Sequence, residues 1–343
     1  MTGTFVDATP ALAQQPGART SRSGCGPEVR RVSTAKHGLP VLFVHGFAGA
    51  PSDFRRALGD DRPSMLAAVR DIDGVVAYTF DFSAHSLEWV TDPNIGPALG
   101  RAIVCLARRQ GSSVTVVAHS MGGLATREAQ GRVVDGTRVA DTLARVITVG
   151  TPFHGAQFLG FADGAAGDVL SSVISTALQA CDTDVSRRPD RSLCDLLGAT
   201  ETAAVQSMIP GSTQLSALPP WSSGVRIVPM AAEIEVGIEG PFGFSEQFSI
   251  GDFAVSVDSA LADRSRGSRT FVADCHASLF GLLTAIDGSP CSHANELANR
   301  RIIDQVSARL RRAVERLPES VRSREAVGEA VEVEGRVPEH GAA

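Results

Sequence analysis

The sequence predicts an α/β protein in which a mostly parallel, doubly wound sheet is flanked by helices and interrupted by an inserted cap or lid subdomain. Three observations lead there. Continuous apolar runs of strand length recur along the chain, as expected of strands buried on both faces. Helical patterns fall between the early runs, so that strand and helix alternate. The alternation then stops for roughly 70 residues, too long for an ordinary connection inside a compact domain.

Taken in order, residues 1–37 are rich in Ala, Thr, Ser, Gly, Pro and Arg without an apolar period, so they are expected to form a disordered N-terminal extension. One folded domain then spans 38–318. Its strands are expected at Leu39 to Val44, Val75 to Phe80, Val114 to Ala118, Val146 to Val149 and Val225 to Met230. Helices are expected over Ala98 to Gln110 and Leu124 to Gln130, and a last one over Ile302 to Leu317, where Arg and apolar residues share a helical period. The insertion runs from about 153 to 224. Within it, Val169 to Leu178 carries small and apolar residues at helical spacing, which fits either a mobile lid over a site or a fixed cap packed on the sheet. Residues 319–343 read as a flexible C-terminal tail.

The composition narrows the function classes. An apolar fraction of 43% in 343 residues can supply one sizeable core. The net charge of −6, with no block of five or more like charges, gives no electrostatic footprint for nucleic acid. No apolar stretch is long enough for a membrane-spanning helix. Ala11-Leu12-Ala13 resembles the small-residue end of a signal peptide, although the charged and apolar regions of one are lacking. The six cysteines show no CxxC pair or metal-ligand spacing, so no metal is expected. Cys181 with Cys194 and Cys275 with Cys291 are plausible disulfides, each closing a short loop worth about 3 kcal/mol and implying an oxidising compartment, secreted or at the cell envelope. Cys105 lies in an apolar helical pattern and reads as a buried free thiol.

The motif that carries chemistry is Val114-Thr115-Val116-Val117-Ala118-His119-Ser120-Met121-Gly122-Gly123, a serine between an apolar strand and the start of a helix. This is the setting of a nucleophile elbow. Small residues at 118 and 122 suit the sharp turn from strand to helix, and Ala118 stands in for the usual first glycine. The helix that follows aims its N–H groups at the reacting carbon, with Met121 supplying the donor next to the serine. A second donor is expected from the loop after an earlier strand, where Val44-His45-Gly46-Phe47 places the Phe47 N–H. His45, at the end of a buried strand, is expected to shape that loop rather than to act as a base.

These residues resemble the bacterial triacylglycerol lipase and esterase branch of the α/β-hydrolase superfamily. Four segments carry the resemblance, in the order that branch has them: Val44-His45-Gly46-Phe47, Ala118 to Gly123, Val149-Gly150-Thr151-Pro152-Phe153-His154-Gly155, and Pro210-Gly211-Ser212 followed by Leu215 and Leu218. The resemblance implies an α/β-hydrolase fold with an acid and then a histidine downstream of Ser120. Gly251-Asp252-Phe253-Ala254-Val255 is similar to the family's Gly-Asp-Gly-x-Val segment, which makes Asp252 the acid, with Phe253 where the pattern has glycine. Asp258 is the alternative. Two histidines follow. His293 is favoured because Pro290-Cys291-Ser292-His293 precedes the final helix as the family's segment does. His276 has its own case, since Thr270 to Ala273 could be the last strand with His276 on the loop beyond it. His85, His119 and His154 precede the acid and are expected to be structural or to line a pocket.

The reading is therefore a serine carboxylic-ester hydrolase acting through an acyl-enzyme, with Ser120, Asp252 and His293 in the catalytic roles and no cofactor. Phe153 and Phe158, at the start of the insertion, are expected to line an acyl groove for a small-molecule or lipid ester; the alternative is that they are core. Lipase, short-chain esterase and polyester depolymerase share this machinery. Acyl transfer to an alcohol other than water is a second reading. A catalytically silent, hydrolase-like binding protein is a third, opposed by the presence of every residue type that the chemistry needs.

Overall fold

The fold comes from a computed structural model, which describes residues 21–59, 63–156, 201–239, 245–263, 269–278 and 289–317. Eleven strands are described: β1 Ser21–Arg22, β2 Val29–Arg31, β3 Leu39–Val44, β4 Val75–Phe80, β5 Val114–His119, β6 Val133–Val134, β7 Thr137–Arg138, β8 Leu143–Val149, β9 Arg226–Glu239, β10 Ser245–Ser249 and β11 Phe271–Ser278. The α-helices are α1 Met65–Arg70, α2 Gly96–Gln110, α3 Met121–Gln130, α4 Ala203–Met208, α5 Thr213–Ser216, α6 Val257–Leu261 and α7 Arg300–Glu315.

Nine of these strands form one sheet, in the order β1-β2-β4-β3-β5-β8-β9-β10, with β11 also pairing with β9. From β4 through β9 every neighbouring pair is parallel, as is β9 with β11. The expected strands at 39–44 and 75–80 match residue for residue, and their burial explains why they lack alternation: every residue of β3, β4 and β5 is buried. Successive side chains of a strand point to opposite faces. Leu42, Val44 and Val116 accordingly join α2 and α3 in one core, whereas Val41, Phe43 and Val117 join α1 and α7 in the other. A helix layer on each face is what this double burial requires.

The antiparallel edges were not legible. β1 and β2 lie within the stretch expected to be a disordered extension, yet β2 pairs antiparallel with β4 through Val29↔Phe80, and β1 pairs with β2. Two anchors hold this segment down. Val29 and Val32 are buried, and Cys25 is disulfide-bonded to Cys105 on α2. The expectation of a free Cys105 is thus corrected: its apolar setting faces the returning N-terminal chain. The bridge spans a sequence separation of 80, worth on the order of 4 kcal/mol if chain entropy dominates. The Cys275–Cys291 bridge is formed as expected. Residues 1–20, 157–200 and 318–343, and with them Phe158, Cys181, Cys194 and the 169–178 stretch, lie outside the described residues.

β9 is longer than its apolar run. Its start pairs with β8, and its second half pairs with β11 in parallel and with β10 in an antiparallel hairpin. The final helix begins at Arg300, two residues before the expected Ile302, because Asn299 caps it: the Asn299 carboxamide oxygen accepts from the N–H groups of Arg301 and Ile302 at 3.0 and 3.4 Å. Ahead of the cap, Glu296–Ala298 forms a single 3-10 turn.

Candidate active site

Ser120 sits between the C-terminal end of β5 and the first residue of α3 with φ 52° and ψ −130°, a conformation non-glycine residues rarely adopt. The surroundings over-determine it. Its N–H donates to Val149 O at 2.9 Å, and its carbonyl accepts from the Thr151 hydroxyl at 3.0 Å. The glycines around it are required sterically. A Cβ on Gly122 would collide with the carbonyl oxygens of Val44 and His45, one on Gly123 with the Thr151 side chain, and one on Gly46 with the Ser120 Cβ. The Gly-Thr-Pro segment therefore contributes Thr151 as the wall behind α3.

His293 connects the serine to a carboxylate. Its Nε2 lies 2.8 Å from Ser120 Oγ, and its Nδ1 lies 2.8 Å from Asp252 Oδ2. Asp252 is 1% exposed, and its other oxygen, Oδ1, accepts from the N–H groups of Ala254 and Val255 at 2.9 and 2.7 Å. A backbone bond from His293 N–H to Asp252 O at 2.8 Å ties the two loops together. The turn that presents Asp252 places Phe253 at φ 78°, the left-handed region that a glycine would enter freely. Phe253 tolerates it with its ring buried among core residues. Asp258 lies in the first turn of α6, whose cap is Ser256. His276 lies within β11 and not on the loop beyond it; its side chain is 73% exposed and pairs with Glu235 at 3.0 Å. The disulfide to Cys291 links that strand to the His293 loop.

The two expected oxyanion donors are positioned by structural elements. Met121 opens α3, and neither its N–H nor that of Phe47 is taken by a hydrogen bond to any described residue. His45 shapes the Phe47 loop. Fully buried and stacked on Phe82 at 3.9 Å, it donates from Nδ1 to Gly46 O and accepts the Phe82 N–H at Nε2, both at 3.0 Å. Both ring nitrogens are engaged at hydrogen-bond distance, whereas Asp81 stands farther off at 3.8 Å.

One residue escaped the sequence reading. Glu296 is fully buried, with Oε1 3.3 Å from His293 Nδ1 and 3.0 Å from His119 Nε2. Burial, reinforced by the Asp252 charge, raises its carboxyl well above the usual range, which favours its protonated form. Burial, together with the nearby His293, holds the His119 imidazole well below the usual histidine range, so that it stays neutral; its Nε2 also faces His293 O at 3.1 Å. The spacing His293 to Glu296, three residues apart on a single turn, was the available signal. The nitrogens of His119 and His293 and the Glu296 oxygen lie within 4.8 Å of one another, as metal ligands can. Each already has a protein partner, however, which makes the trio a proton-bearing network.

Phe153 is 2% exposed and meets Trp221 edge-on at 6.4 Å, so its ring belongs to the core. His154 is exposed, and its N–H donates to Ser259 Oγ at 3.1 Å, joining the Thr-Pro-Phe-His-Gly loop to the segment behind the acid. Ser212 of the Pro-Gly-Ser motif caps α5, accepting the Leu215 N–H at 3.2 Å, and its hydroxyl also bonds Ser207 O. His85 lies on an exposed 3-10 turn.

A parallel sheet between helix layers, with a strained serine at a strand-to-helix junction, defines the hydrolase class of α/β folds. Residues 41–287 match the alpha/beta hydrolase family, and the chain belongs to it. No curated protein matches the sequence. Among solved structures, the chain is similar to the mature form of Bacillus licheniformis lipase BlEst2, at 20% identity over 81% of this chain and 93% of that one, with a TM-score of 0.48. It is also similar to Aspergillus fumigatus lipase B, at 15% identity over 88% of this chain and 62% of the fungal one, with a TM-score of 0.47. A metagenomic carboxyl esterase, MGS0156, is 15% identical over 81% of this chain and 78% of its own, with a TM-score of 0.44.

Proposed function

We propose that this protein is a serine carboxylic-ester hydrolase acting on apolar esters through an acyl-enzyme. The observation that carries the reading is His293, placed 2.8 Å from both Ser120 Oγ and Asp252 Oδ2. In this reading the Ser120 hydroxyl attacks the ester carbonyl while its proton passes to His293 Nε2. Asp252 holds the Nδ1–H tautomer and stabilises the imidazolium, and its bonds from the Ala254 and Val255 N–H groups fix its orientation. The N–H groups of Phe47 and Met121 receive the oxyanion. His293 then protonates the leaving alcohol, and water, deprotonated by the same nitrogen, releases the acid. Glu296 acts as a positioning residue, holding His293 and His119 from the buried side.

The two described disulfides support an oxidising compartment. Among the described residues no helix is long and apolar enough to cross a membrane. The test is hydrolysis of p-nitrophenyl esters across acyl lengths. Activity that falls to background in Ser120→Ala and His293→Ala but persists in His276→Ala supports the reading, and the length profile separates esterase from lipase. A folded wild type inactive on every length would overturn it.

A further inference from the structure

At the N-terminal ends of the strands, opposite the end that carries Ser120, six arginines converge: Arg145 on β8, Arg226 at the start of β9, Arg269 just before β11, Arg309 and Arg312 in the second half of α7, and Arg316 just after it. Arg145 and Arg226 are register partners on adjacent parallel strands, so two like charges face each other where a sheet ordinarily avoids them. Arg145 donates to Arg309 O at 3.1 Å, and Arg309 donates to Arg269 O at 3.1 Å, which brings the three into one cluster. Arg309 also donates from Nη1 to the backbone carbonyl and side-chain oxygen of Gln305 one turn earlier, but much of the rest of the cluster is uncommitted. The buried Nε–H of Arg145 has no partner among the described residues, and the guanidinium groups of Arg226, Arg269, Arg312 and Arg316 bond to none of them. Glu315, the acid on the last turn of α7, pairs with no arginine among the described residues.

The electrostatics agree with the geometry. Beyond desolvation, the charges opposing Arg145 are those of Arg226, Arg316, Arg309 and Arg312, and those opposing Arg309 are Arg312, Arg226 and Arg269. A chain with net charge −6 thus concentrates mutually repelling cations at one place. The α7 C-terminus contributes a partial negative charge there, about half an elementary charge, against six full positive ones.

We propose that this cluster is a binding site for a phosphate-class oxyanion. Arg145 and Arg309 form its half-buried floor, and Arg226, Arg269, Arg312 and Arg316 its exposed rim. Guanidinium forks bind tetrahedral oxyanions bidentately, and several forks on one group match a polyanionic phosphoryl ligand better than a single carboxylate. A bound anion would also relieve the repulsion between Arg145 and Arg226. The site is separate from the serine. Arg145 lies four residues before Val149, the partner of Ser120 N–H, which is about 13 Å along the strand. The proposal does not depend on the hydrolase reading.

The experiment is titration calorimetry of the full chain with pyrophosphate at constant ionic strength set by sodium chloride, alongside sedimentation with phosphatidylcholine vesicles with and without phosphatidic acid. The double variant Arg226→Gln/Arg312→Gln is compared with wild type, because both side chains are exposed. Wild type should bind saturably in at least one arm, and the variant about a hundredfold more weakly or not at all, since each of the two lost charge-assisted contacts is worth roughly tenfold. Binding to pyrophosphate identifies a free phosphate ligand, and binding to phosphatidic acid vesicles alone identifies a headgroup. Ester hydrolysis, or fluorophosphonate labelling if no ester is cleaved, should be unchanged in the variant. No saturable binding in either arm, or equal binding by the variant, overturns the site.

Discussion

Oε1 of Glu296 lies 3.3 Å from Nδ1 of His293, the same nitrogen that faces Asp252 Oδ2 at 2.8 Å. Two buried carboxyl groups therefore share one imidazole nitrogen, and their environments separate them. Asp252 receives two backbone N–H bonds, whereas Glu296 Oε2 has no partner among the described residues and burial raises its carboxyl well above the usual range. Backbone N–H groups orient one carboxyl, while burial without such bonds disfavours the charged form of the other.

If Glu296 works as a neutral positioning group, its isostere should replace it. Glu296→Gln should keep kcat within a few-fold of wild type at neutral pH. Glu296→Ala should lose about tenfold or more in kcat with little change in KM, since it removes orientation rather than ground-state binding. Steady-state kinetics on one p-nitrophenyl ester checks this, and an equal loss in both variants would assign Glu296 a charged role.

Stability should respond to pH with a definite sign. The folded-state pKa of Glu296 is raised, so the stability linked to its protonation is full below the unfolded value of about 4.3 and is lost as pH rises. Glu296→Gln should accordingly lose less stability than wild type between pH 5 and pH 8, as read by thermal melts.

His119 acts in the opposite direction. Its folded-state pKa is lowered, so the associated stability is full above the unfolded value of about 6.5 and is lost as pH falls below it. His119→Gln, which retains a donor toward Glu296, should show a smaller drop in melting temperature between pH 7 and pH 5 than wild type. An unchanged drop would place the acid sensitivity elsewhere.

The Cys275–Cys291 bridge closes a 16-residue separation two residues before His293. Replacing both cysteines with alanine should cost about 3 kcal/mol of stability, and it should reduce esterase activity by loosening the base while leaving Ser120 in place. Denaturant melts and activity measured on the same samples separate these two effects.

The central strands and the elbow were legible because burial on both faces and a strand-to-helix junction leave local marks. Leu39–Val44 is apolar at every position because no side of it meets water, and Gly122 and Gly123 are glycines because backbone and Thr151 leave no room for a Cβ. What was not legible depended on contacts distant in sequence. Val29 and Cys25 reveal their role only when β4 and α2 are beside them. Likewise Phe153, with an apolar side chain suited to a groove or a core, is resolved only by Trp221. Glu296 drew no reading because nothing local signals that His119, 177 positions earlier, is its partner.

The most direct measurement is labelling of the wild type with a fluorophosphonate followed by peptide mapping, repeated in Ser120→Ala, His293→Ala and His276→Ala. The expected result is a single adduct on Ser120, absent in Ser120→Ala, slowed by about a thousandfold or more in His293→Ala, and unaffected in His276→Ala. An adduct on another residue, no adduct on folded wild type, or loss of labelling in His276→Ala but not in His293→Ala would contradict the assignment of Ser120 and His293.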